Sequence, residues 1–90
     1  MTHTIEIRNH SYTPQELKVV VGDAVKWVNR DGTRHSATRD SAPKFDTGLL
    51  AKDQESLPIS FLEASPVEGY EYYCNPHPDM LGKIIVTIPV

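Results

Sequence analysis

The run Leu17-Lys18-Val19-Val20-Val21-Gly22-Asp23-Ala24-Val25-Lys26-Trp27-Val28-Asn29 decides the fold class. Two β-branched segments, with apolar residues at alternate positions 17, 19 and 21 and again at 25 and 27, flank a Gly-Asp turn dipeptide. This pattern predicts a β-hairpin with Trp27 as its largest core anchor. Upstream, Thr4-Ile5-Glu6-Ile7-Arg8 alternates polar and apolar and reads as a strand, set apart by a Tyr12-Thr13-Pro14 turn. Downstream, Arg30 to Glu55 breaks into short polar pieces around Gly32, Pro43 and Gly48 and reads as loop. Pattern returns at Leu57–Leu62, where Pro58 belongs at an edge or a strand start, at Tyr70–Tyr73, and at Lys83–Ile88. No segment carries a convincing helical period. About seven short strands, spaced by about ten residues with turn signals between them, predict an all-β sandwich of one domain, residues 1–90.

Composition narrows the function. Nine Lys+Arg against twelve Asp+Glu leave a net charge of −3, too little of either sign for a nucleic-acid or other polyanion partner. No apolar run approaches the roughly 18–20 residues of a spanning helix, and Met1–His10 has neither the basic nor the apolar region of a signal peptide. A leader, if the protein is exported, is expected to have been removed already. The single cysteine, Cys74, forms no internal disulfide and supplies no four-cysteine zinc site. It is a buried small hydrophobe, a reactive thiol or a metal ligand.

The segment Tyr72-Tyr73-Cys74-Asn75-Pro76-His77-Pro78-Asp79-Met80 favours the third option. It spaces a thiolate, an imidazole and a thioether evenly along a stretch stiffened by two prolines. Thiolate with imidazole and a weak axial thioether is the set that selects copper in a trigonal site, and such a site asks for a second histidine. His35, beyond the end of the Trp27 strand, meets that need. Zinc, or copper with altered axial ligation, remains the alternative. His3 and His10 flank a segment without a thiolate and read as solvated or hydrogen-bonded residues. The scattered acidic side chains read as a solvating surface. No Ser/His/Asp grouping, carboxylate pair or phosphate-binding loop suggests an enzyme.

Together these residues resemble the cupredoxins, small type 1 blue copper proteins of the plastocyanin and amicyanin kind. The resemblance spans nearly the whole chain, including Val21-Gly22-Asp23, the Val25/Trp27/Asn29 strand, Asp31 to His35, Phe45-Asp46-Thr47-Gly48-Leu49 and the Cys-x-x-His-x-x-Met loop ending at Gly82-Lys83-Ile84-Ile85-Val86. It implies a Greek-key β-sandwich of about seven to eight strands. It also implies one copper per chain, with His35, Cys74 and His77 as equatorial ligands and Met80 as the axial one, and a hydrogen-bond donor to the cysteine sulfur at Ser36. The implied function is that of a monomeric, periplasmic one-electron carrier whose partners dock around the His77 ring, near Pro76, Pro78, Met80, Leu81 and Pro14. A copper carrier or scavenger using the same ligands is the alternative. Two positions depart from the family pattern: Asp79 where an apolar residue is common, and His10 where a buried aromatic is expected.

Overall fold

The computed structural model describes residues 1–89; residue 90, the last of the expected 1–90 unit, lies outside the described residues. Nine strands and no helix occur among them: β1 (Thr2–Arg8), β2 (Ser11–Thr13), β3 (Glu16–Val20), β4 (Ala24–Asn29), β5 (Thr38–Arg39), β6 (Phe45–Asp46), β7 (Ile59–Ser60), β8 (Tyr70–Cys74) and β9 (His77–Thr87). They form two sheets, ordered β2-β1-β4-β7 and β3-β9-β8-β5-β6. The expected sandwich is therefore present, with one or two very short strands more than the sequence suggested. Pro58 immediately precedes the edge strand β7, where its missing N–H costs no ladder bond.

The hairpin predicted at Gly22-Asp23 does not form. β3 pairs in parallel with β9, whereas β4 pairs in parallel with β1 and antiparallel with β7. The turn instead carries the chain from one sheet to the other, with Gly22 at φ 99° and Asp23 N donating to Val20 O at 3.0 Å. A hairpin would put both apolar faces on the same side of one sheet. Crossing between sheets lets them bury each other, and Val19, Val25 and Trp27 all lie in the shared core. The Asp23 carboxylate fastens this crossing, accepting from Val20 N at 3.3 Å and meeting His3 Nε2 at 2.9 Å.

The Tyr12-Thr13-Pro14 segment is likewise not a turn. Ser11–Thr13 forms β2, and the reversal occurs at Asn9-His10, because Arg8 pairs directly with Ser11. This register leaves Ile5, Ile7 and Tyr12 facing inward. Trp27 and Tyr72 are the largest fully buried side chains; Trp27 Nε1 donates to the Tyr72 hydroxyl at 3.3 Å, so the indole N–H is satisfied in the core. Each fully buried Ile or Val beside them contributes about 1.5–3 kcal/mol.

The β8–β9 ladder shapes the end of the sandwich that matters most. Tyr72 pairs with Gly82 and Tyr73 with Leu81, but Cys74 pairs with His77. The register shift leaves residues 78–80 without partners on β8, a bulge that exposes Pro78 and Asp79 and turns Met80 inward. What the sequence presented as a long loop from Cys74 to Gly82 is thus a tight turn at Asn75-Pro76 followed by a bulged strand.

Candidate metal centre

His35 owes its position to Asn29 at the end of β4. The Asn29 side chain is fully buried. It accepts from Asp31 N at 2.9 Å and donates to Thr33 O at 2.9 Å and Leu50 O at 2.8 Å, which folds residues 29–35 around one amide. His35 then forms a two-bond bridge with Leu50. Its ring is fully buried, and Nε2 meets Asp31 Oδ2 at 2.9 Å. That bond fixes the tautomer and directs the Nδ1 lone pair inward. Burial holds His35 below the usual imidazole range, against the opposing pull of Asp31, so the ring is neutral near neutral pH. Burial raises Asp31 in turn, but the backbone N–H groups of His10 and Asn9, together with His35, outweigh it and keep the group a carboxylate.

Cys74 closes β8 and is fully buried. Its Sγ lies 3.5 Å from His35 Nδ1 and 3.6 Å from His77 Nδ1. All three donor atoms fall within 4.8 Å of one another. Nitrogen and sulfur donors about 2.1 Å and about 2.3 Å from a common ion, at an angle near ~110°, stand about 3.6 Å apart. The observed separations match that spacing, so the donors fit a metal without rearrangement. Met80 is 6 % exposed and lines, with His77, Pro78, Asp79 and His10, a shallow depression beside the donors.

Ser36 ties the centre to the scaffold through three bonds. Its N–H donates to Cys74 Sγ at 3.4 Å, its Oγ accepts from Asn75 N at 2.9 Å, and its carbonyl accepts from the buried Tyr12 hydroxyl at 2.5 Å. Burial pushes the Tyr12 phenol well above its ordinary value, so it remains a donor. The donor implied at Ser36 is therefore its backbone N–H, while its side chain fixes the turn after the cysteine.

The residues singled out from sequence thus converge, with His35, Cys74 and His77 as a cluster and Met80 beside them. His3 lies at the opposite end of the sandwich, on Asp23. His10 is neither buried nor remote. Its side chain is 55 % exposed, yet its ring stands 4.8 Å from that of His35 and 5.0 Å from that of His77. Sequence reasoning missed Asn29, Asp31 and His10 as parts of the centre. A signal existed for His10, since Asn9-His10 between two alternating segments is a two-residue hairpin pattern.

The fold and this donor set define a cupredoxin, and comparison with known proteins agrees. Residues 1–87 match the family described as copper binding proteins, plastocyanin/azurin family, and the chain belongs to that family. Among its relatives are the amicyanins of Paracoccus denitrificans, 33 % identical over 85 residues covering 91 % of this chain and 63 % of that protein, and of Paracoccus versutus, 33 % identical over 86 residues covering 91 % and 62 %. The chain therefore spans less than two thirds of the length of either relative. A solved structure of a reduced amicyanin variant superposes with a TM-score of 0.83 at 31 % identity, covering 92 % of this chain and 79 % of that one. Another variant in its Cu(I) form gives 0.83 at 32 % identity with the same coverage. Copper is the cofactor of this family, and the thiolate–imidazole donors are of the kind that selects it. No helix among the described residues is long and apolar enough to cross a membrane.

Proposed function

We propose that the protein is a type 1 copper electron carrier, not an enzyme, with His35, Cys74 and His77 as equatorial ligands and Met80 as the axial one. The observation that carries this is the Sγ–Nδ1 pair of distances, 3.5 and 3.6 Å, in a buried and already hydrogen-bonded setting. When bound, one copper ion per chain supplies one-electron chemistry. The protein's part is to keep the donors still: Asp31 orients His35, Ser36 N–H holds the thiolate, and the Asn75-Pro76 turn fixes Cys74 against His77. A site that moves little between oxidation states suits electron transfer. Ligand exchange, which a copper carrier or scavenger requires, is poorly served when Cys74, His35 and Met80 are all buried.

Of the three closest donors only His77 is partly exposed, and it is the contact through which redox partners reach the site. Pro76 and Pro78, its chain neighbours, are exposed, as is Leu81 further along β9, and Asp79 adds a negative charge beside it. Residues 1–90 act as one domain that works as a monomer in the periplasm, as the resemblance to its family implies.

The experiment is the visible absorption and paramagnetic-resonance spectrum after one equivalent of Cu(II), with Cys74→Ser alongside. An intense thiolate-to-copper band, present in the native chain and lost in the variant, is expected. A pale spectrum indifferent to Cys74 would refute the ligand assignment.

A further inference from the structure

The turn joining β1 to β2 contains only Asn9 and His10, both with positive φ, 52° and 56°. Positive φ at both central residues is the mark of a two-residue hairpin turn whose second position is ordinarily glycine. A histidine there accepts backbone strain that glycine would avoid, and such a cost calls for a compensating role. The turn is also fastened. Asn9 N donates to Asp31 Oδ1 at 2.8 Å and His10 N to Asp31 Oδ2 at 2.9 Å. The same Oδ2 holds His35 Nε2 at 2.9 Å, so one carboxylate joins this hairpin to a donor histidine.

The ring that the strained turn carries meets both donor histidines edge-on. The interplanar angle is 85° with His35, at 4.8 Å between centroids, and 84° with His77, at 5.0 Å. These are favourable edge-to-face geometries. The two donors need such support unequally. His35 is fully buried and held by Asp31, whereas His77 is partly exposed and its Nδ1 faces Cys74 Sγ rather than an anchoring carboxylate. We infer that His10 is a positioning residue of the metal centre: its ring, set by the Asn9-His10 turn and by Asp31, fills the wedge between His35 and His77 and keeps His77 presenting Nδ1 to Cys74. Its consequence for copper rests on the function proposed above; its effect on the His77 rotamer does not. The nitrogens of His10 are not what the role requires. His10 Nδ1 is 3.9 Å from Asp31 Oδ2, beyond hydrogen-bond length, and Asp31 is already engaged by His35.

Two variants separate ring from backbone. His10→Asn tolerates the left-handed conformation and removes the ring; His10→Phe keeps a ring edge and removes both nitrogens. In the metal-free chain, the three-bond couplings about the His77 Cα–Cβ bond should report one rotamer in the native protein and in His10→Phe, and averaging in His10→Asn. In the copper-loaded chain, release to a chelator should be about two- to tenfold faster for His10→Asn than for the other two, the range that loss of the edge-to-face contact on the less anchored His77 implies. A single His77 rotamer and native release rate in His10→Asn would overturn the inference, and so would a His10→Phe chain of native urea stability, its turn therefore intact, behaving like His10→Asn. Because the couplings are read without metal, a chain that shows the rotamer pattern but never develops a thiolate-to-copper band would overturn the copper assignment and leave the positioning role standing.

Discussion

Asp31→Ala removes one acceptor that serves three donors, the N–H groups of Asn9 and His10 and the Nε2 of His35. The three losses are unequal. The two backbone groups lie in an exposed turn where water replaces the carboxylate, so each costs about 0.5–1.5 kcal/mol. The His35 ring is fully buried, and its stranded Nε2–H costs about 1–3 kcal/mol. The bonds share one acceptor and do not add fully, so a loss of about 3 kcal/mol is expected. For a domain of this size that lowers Tm by about 12–24 °C. The assay is urea and thermal unfolding of the metal-free protein, with Asp53→Asn as the control. Asp53 also pairs with a cation, Arg30 Nη1 at 3.0 Å, but its side chain is 60 % exposed; its φ is 64°, which asparagine tolerates, so loss of the charge alone should fall within experimental error. In the copper-loaded protein, losing the carboxylate behind His35 makes the imidazole a poorer donor to Cu(II), so the reduction potential should rise. A stability loss below about 1 kcal/mol, or no larger than that of the Asp53 control, would refute the view that Asp31 organises the centre.

Three further outcomes are expected. Gly82→Ala would place a methyl 2.5 Å from the Tyr72 hydroxyl and 2.9 Å from its Cε2; Tyr72 cannot retreat from a filled core, so a loss of about 1–3 kcal/mol should appear in urea unfolding. Ser36→Ala keeps the N–H to Cys74 but removes the acceptor of Asn75 N–H; Asn75 is exposed and water replaces part of the bond, so stability should fall by about 0.5–1.5 kcal/mol while the copper–thiolate band stays in place. Asp23 is held at about 2, below its ordinary 3.8, chiefly by His3 and then by Val20 N–H. Its folded-state value is depressed, so its stabilisation is fully present above the ordinary value and disappears as pH falls through about 2. The stability gap between the native chain and Asp23→Asn should therefore close over that interval in an acid titration.

Much of this protein was legible in its sequence, because the deciding signals are local. Alternation at Ile5, Ile7, Val25 and Trp27 specifies strands with one buried face, since successive side chains point to opposite sides. The spacing of Cys74, His77 and Met80 within one short segment marks them as candidate donors from residue type alone. What lay outside the sequence was partnership. Gly22-Asp23 has the composition of a hairpin turn, but whether the chain folds back or crosses to a second sheet depends on which apolar faces are available, and those belong to β1 and β9, far away along the chain. The same holds at the centre. Asp31, His10 and Asn29 are ordinary polar residues in sequence and acquire their roles only where the β1–β2 turn, the end of β4 and the bulged β9 meet. Candidate ligands are legible in residue type and spacing; their position, tautomer and support depend on hydrogen bonds and ring contacts between segments, and those exist only in the tertiary structure.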